Sequence, residues 1–116
     1  MNKETAEVEL VSSFPALAQE DGFSDAKGLL HVVFGSYFCP WVRRLLNLGT
    51  DTEFEEVELG KAFGFIERML EAGDEDLENV VLVTVLNYLV YYCGRDVVAS
   101  WCGPLSASWL DRLPPP

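Results

Sequence analysis

A chain of 116 residues and 13.0 kDa has the size of one domain, and no Ser/Gly-rich or charge-rich linker divides it. Apolar residues make up 49% and include 3 Trp, 4 Tyr and 7 Phe, enough for a packed core that relies on neither metals nor disulfides. The 19 acids against 8 bases leave a net charge of −11, which repels nucleic-acid phosphates and anionic membranes at long range and favours a basic protein surface as partner.

Near the amino end, Val8, Leu10, Val11 and Phe14 follow a helical spacing and predict a helix near Lys3 to Ser13, interrupted by Pro15 and Gly22. Met1 to Leu10 has no apolar run of the kind a secretory signal needs. The apolar stretch Leu29 to Leu48 is punctuated by Gly35, expected to end a short helix, and by Pro40, which suits the first turn of a second helix from about Pro40 to Asn47. Thr52 followed by Glu55 has the spacing of a capping box and marks the next helix start.

Downstream, Leu59, Ala62, Phe63, Ile66, Met69 and Leu70 fall on one helical face, and Gly73 suits the helix end. Asp74 is then a candidate N-cap with Glu75 and Asp76 in the first turn, so a tight helical hairpin follows. Leu77 to Cys93 is apolar nearly all round. Its β-branched run Val80 to Val85 also suits a buried strand, but length and the acidic cap favour a buried core helix. The apolar run from Val80 is shorter than the ~18 residues of a membrane helix and carries Thr84 and Asn87. After Gly94, Asp96 to Trp101 and the segment after Pro104 each predict about two helical turns, closed by Pro114-Pro115-Pro116. The expected architecture is all-α, a bundle of five or six helices around the Asp74 to Cys93 helix, with a central buried hairpin like a HEAT pair.

Cys39, Cys93 and Cys102 are an odd, widely spaced set, which points to reduced thiols in a cytosolic setting. Trp101-Cys102-Gly103-Pro104 copies the first four residues of a thioredoxin active site, but Leu105 stands where the resolving Cys belongs, and Cys39-Pro40-Trp41-Val42 lacks a second Cys in the same way. His31 is the only histidine and reads as a core-edge or turn residue. No metal-ligand spacing, Ser-His-Asp set or glycine-rich phosphate loop accompanies it. The expectation is a chain with no catalytic residue, no metal and no cofactor.

The window Asp51 to Glu78 holds eleven acids against Lys61 and Arg68, a net of −9 within the chain's −11. Asp51, Glu53, Glu56, Glu67, Glu71, Asp74 and Glu75 are therefore the candidate residues for a basic partner, since carboxylates of this density speed association and reject partners of like charge. Glu53, Glu56, Glu67 and Glu71 share one side of the predicted helix with Gly60 and Gly64, whose bare backbone is expected to let a neighbouring helix approach. Thr84, Asn87, Tyr88 and Tyr91 form a second stripe at i, i+3, i+4 and i+7, from which Tyr88 and Tyr91 join the candidate binding set.

Three pieces of sequence carry a resemblance. They are Leu30-His31-Val32-Val33-Phe34-Gly35-Ser36-Tyr37-Phe38-Cys39-Pro40; then Phe63-Gly64-Phe65-Ile66-Glu67-Arg68-Met69-Leu70 leading through Gly73-Asp74-Glu75 into Val80 to Leu89; then Gly103-Pro104-Leu105-Ser106. Together they resemble a family of small bacterial all-helical domains, some of which look like immunity proteins of polymorphic toxin systems. The chain departs from that pattern at Cys39, where a polar residue is common, and at Asn87, where an acid is common. The resemblance implies a cytoplasmic antitoxin that binds a cognate toxin domain and blocks its active site or substrate access, with no role for nucleic acid or membrane. The alternative expectation is a self-associating structural or adaptor domain, suggested by the apolar content and by Gly60 and Gly64.

Overall fold

The computed structural model describes residues 1–48 and 52–114, and every regular element among them is helical. Helix α1 is Ala6–Ser13, preceded by a turn in which the Asn2 carboxamide and the Thr5 hydroxyl take up local amides. Pro15 and Gly22 interrupt the chain as expected, but the segment after them still coils. Pro15–Gln19 is a 3-10 turn and Phe23–Ala26 a one-turn helix, α2, each held by an apolar anchor, Leu17 and Phe23.

The expected break between two helices in Leu29 to Leu48 does not occur. Leu30–Val33, Phe34–Phe38 and Cys39–Leu48 follow one another as a single helix, α3, whose middle part is π-helical. The physical reason lies at Pro40, which has no N–H to donate and whose ring crowds the carbonyl four residues back. The widened turn just before it, in which the Cys39 amide donates to the Phe34 carbonyl five residues back, accommodates that mismatch without ending the helix.

Helix α4, Glu53–Glu71, starts at Thr52, whose hydroxyl accepts from the Glu55 amide at 3.4 Å. All six residues predicted for its inner face are buried, and Phe65 with them. Gly73 adopts a φ of 68°, a left-handed conformation costly for any residue with a Cβ, and so turns the chain back on itself. Asp74 then caps the next helix, accepting from the amides of Asp76 at 2.8 Å and Leu77 at 3.2 Å.

That helix, α5, runs through Glu75–Asn79, Val80–Leu86 and Asn87–Cys93, and its β-branched stretch is π-helical rather than extended. It is not buried all round. Val83, Asn87, Tyr91 and Tyr92 are exposed, so one side of it faces solvent. Helices α6, Arg95–Trp101, and α7, Pro104–Leu110, close over α5 and α4 respectively.

The pairs His31 with Thr84, Gly35 with Thr84 and Arg43 with Tyr92 place α3 and α5 side by side in the same direction, their π segments level with each other. Helix α4 runs antiparallel to α3, since Phe34 and Phe38 both meet Phe65 while Phe14, beside Trp41, lies under Lys61. Phe14, Phe34, Phe38 and Phe65 form the aromatic centre of the core, with centroid separations of 5.6 to 6.3 Å. One end of the bundle thus holds the end of α3, the start of α4 and the end of α5. The other holds the α4–α5 turn.

Candidate partner-binding surface

The antiparallel course of α4 divides the residues that sequence spacing grouped together. Glu53 and Glu56 stand exposed in its first turn, whereas Glu71 is its last residue, about 27 Å further along at 1.5 Å per residue. Glu71, Asp74 and Glu75 cluster around the Gly73 turn at the far end, and there Asp74 is occupied as a helix cap. Asp51 lies outside the described residues.

Glu67 belongs to neither end. Its carboxylate reaches across to α7, accepting from the Leu105 amide at 3.0 Å and the Ser106 amide at 2.6 Å. Helix α7 begins with Gly103 and Pro104, which offer no side-chain acceptor, so Glu67 supplies the cap from 38 residues away. A Cβ on Gly103 would sit 2.5 Å from that carboxylate, which is why glycine occupies the position.

The same contact bears on the thioredoxin-like motif. A reactive thiol is activated by the amino end of a helix, but here that place is taken by the Glu67 carboxylate. Burial pushes the Cys102 thiol up; a hydrogen bond with Ser106 lowers it, and the Glu67 charge raises it. Burial also raises Cys93, against the lowering effect of Arg43, and raises Cys39 far more, with the neighbouring Cys93 adding to the rise. All three are free thiols.

Gly60 and Gly64, expected to admit a neighbouring helix, have nothing within 4 Å of where a Cβ would stand. They line a shallow depression on the outside of α4 together with Val57, which is 52% exposed. The inner face of α4 is already filled by its large apolar residues, so the glycines were left on the solvent side.

Seven of the eight bases make contacts within the fold, while Lys27 stands exposed with no ion pair among the described residues. Arg95 donates to the carbonyls of Leu110, Leu113 and Pro114; Arg43, Arg68 and Arg112 lie over Tyr92, Phe65 and Trp109; and Lys3, Arg44 and Lys61 pair with Asp76, Glu20 and Glu58. Glu53, Glu56, Glu71 and Glu75 have no ion pair among the described residues. The outward charge is therefore carried mainly by carboxylates.

Tyr88 and Tyr91 do not share an environment. Tyr91 is 80% exposed, while Tyr88 is half-buried and packs on Tyr92 with centroids 4.5 Å apart. Tyr92, which sequence spacing did not single out, is the hub: Tyr91 meets it edge-on at 4.9 Å, and the Arg43 guanidinium lies 4.0 Å from its centroid. Tyr88 also walls a cleft of about 630 Å3 together with Tyr37, Arg43, Arg44, Glu20 and Asp21. Thr84, the first residue of the predicted stripe, faces α3 instead, its hydroxyl 2.6 Å from His31 Nδ1.

Among the described residues no group of three or more His, Cys, Asp or Glu stands close enough to hold a metal, and no helix is long and apolar enough to cross a membrane. Fold and surface define an all-α domain whose outer charge is anionic and whose one end carries an exposed tyrosine cluster. The chain belongs to the family described as a domain of unknown function (DUF7674), which matches residues 8–113. No curated protein and no solved structure matches it.

Proposed function

We propose that this chain is an immunity-type protein, a bacterial cytoplasmic antitoxin that binds a cognate toxin domain and blocks its active site or substrate access. The reading rests on one observation above the others: seven of the eight bases make contacts with the fold's own residues, while the carboxylates of Glu53, Glu56, Glu71 and Glu75 have no ion pair among the described residues. Such a surface attracts a basic groove, speeds the encounter and needs no reaction of its own to inhibit what it covers. The resemblance in Phe63 to Leu89 points the same way.

The test is a growth assay. The gene adjacent to this one is expressed alone and together with this chain, and the two products are co-purified. A neighbour that kills alone, binds this chain and is neutralised by it supports the reading, and Glu53→Lys with Glu56→Lys then weakens both binding and protection. A neighbour that is harmless or unbound overturns it.

The depression at Gly60 and Gly64, lined in part by exposed Val57, favours a second reading, a self-associating adaptor domain. Light scattering separates the two: a stable homo-oligomer that Gly60→Leu dissolves belongs to the adaptor.

A further inference from the structure

The end of the bundle where α3 and α5 finish holds the feature least explained by folding. Tyr91 and Tyr92 are 80% and 47% exposed on consecutive positions, yet the Tyr92 ring packs against Tyr88 and Arg43, and Tyr91 meets that ring edge-on. An aromatic pair fixed beforehand gives up little entropy when something lands on it, which is the property of a binding anchor. We infer that this tyrosine platform is the anchor of the partner interface and that the partner seats an exposed arginine on Tyr91.

The choice of occupant follows from charge and geometry. Arg44 pairs with Glu20 at 3.3 Å, and Arg43 and Asp21 line the same cleft, so these four charges sum to zero. The field at Tyr91 is then that of the remaining chain, which is strongly negative, and the exposed carboxylates of Glu53 and Glu56 belong to the same end of the bundle. A cation is drawn there and an acidic segment is turned away. The kind of contact such a surface makes is already displayed within the fold, since the Arg43 guanidinium carbon lies over the Tyr92 ring, 4.0 Å from its centroid. A planar guanidinium on Tyr91 repeats that contact on the ring that is still open, and arginine fits it better than the more strongly hydrated ammonium of lysine.

This inference rests on the protein-binding reading above, but its test uses no toxin. The full chain is titrated with hexa-arginine, hexalysine and hexaglutamate peptides while the tyrosine ring resonances are followed. Hexa-arginine is expected to move the Tyr91 and Tyr92 rings and to bind about two- to fivefold more tightly than hexalysine, the range of one exposed cation–π contact. Tyr91→Ala removes that preference, whereas Glu53→Gln with Glu56→Gln weakens both basic peptides equally and leaves the preference intact. Tyr91 is so exposed that its replacement leaves folding unchanged, which thermal denaturation verifies.

The inference fails if the preference survives Tyr91→Ala, if the shifts centre on Glu71 and Glu75, if hexaglutamate binds as well, or if light scattering finds a dimer that Tyr91→Ala dissolves. The two readings fail separately. Arginine preference at Tyr91 without protection in the growth assay removes the immunity reading alone, while full protection and wild-type toxin binding by the Tyr91→Ala, Tyr92→Ala variant removes the platform alone.

Discussion

Removing the Glu67 carboxylate should cost this protein the start of α7, and the size of the loss can be worked from two hydrogen bonds. Each joins a charged acceptor to a backbone amide, at 3.0 and 2.6 Å, and such bonds are worth about 1.5–3 kcal/mol apiece in a closed setting. Glu67 is only half-buried, so water recovers part of the loss, and about 2 kcal/mol is expected for Glu67→Ala, the upper end of the range for a lost cap. An unfolding entropy of about 2.1 cal/mol/K per residue makes this a fall in Tm of roughly 8 °C for a chain of 116 residues. Glu67→Gln keeps an accepting oxygen but not the charge, and should lose about half as much. Gly103→Ala pushes a methyl group into the carboxylate, so alone it should cost nearly what Glu67→Ala costs, but nothing further in the Glu67→Ala background. Urea denaturation followed by circular dichroism on the four members of this cycle measures the coupling. Additive losses, or a Glu67→Ala variant within about 0.5 kcal/mol of the parent, would show that the contact does not hold α7.

Gly60→Ala and Gly64→Ala should each raise stability by about 0.5–1 kcal/mol in the same assay, because neither position has a positive φ or a neighbour for the new methyl; destabilisation would reveal a partner already seated there. Gly35→Ala should do the reverse, by about 1–3 kcal/mol, since its Cβ would stand 3.0 Å from Thr84 Cγ2 where the two π segments meet; a neutral result would mean α3 and α5 are less closely packed than described. A thiol raised by burial is neutral over a wider pH range in the folded than in the unfolded chain. Cys39 therefore contributes stability that is constant below its ordinary value of 9.0 and lost as pH climbs above it, and a Cys39→Ala variant should show a flatter decline between pH 9 and 10.5. At pH 8, a disulfide reagent should leave Cys39 untouched until the protein unfolds and should modify Cys102 more slowly than free cysteine.

Local patterns were legible where they are closed within one turn or one face. The inner face of α4 is written in a 3.6-residue period, so Leu59, Ala62, Phe63, Ile66, Met69 and Leu70 are buried as read. Asp74 and Gly73 are equally local, because a cap and a left-handed turn involve only their neighbours. Glu67 was misread as part of an open acidic side because its partners lie beyond the hairpin, and no spacing within α4 betrays them. The one available signal was at the other end: a helix that begins Gly103-Pro104 has no cap oxygen of its own, and an acceptor had to come from somewhere. Arg43 and Tyr92 were missed for the same reason, since their contact joins positions 49 apart.

The π segments account for the rest, and they also bear on the tyrosine platform. An ordinary helix would carry Thr84, Asn87, Tyr88 and Tyr91 on one side, as their spacing implies. A π segment admits an extra residue into the turn and so rotates everything beyond it by about 100° relative to what lies before. Val80–Leu86 is such a segment, and the stripe crosses its end. Thr84, inside it, is turned toward His31, while Tyr91, beyond it, stands in solvent and Tyr92 is swung against Arg43. Helix α3 carries its own π segment at the same level, at Phe34–Phe38, so both helices shift phase together and keep their close contact at Gly35 and Thr84. Without the second shift Arg43 would rotate away from Tyr92, and the platform would lose the cation that holds its central ring. The paired irregularity thus does what neither helix does alone: it packs the β-branched run of α5 against α3 below and presents an ordered tyrosine cluster above.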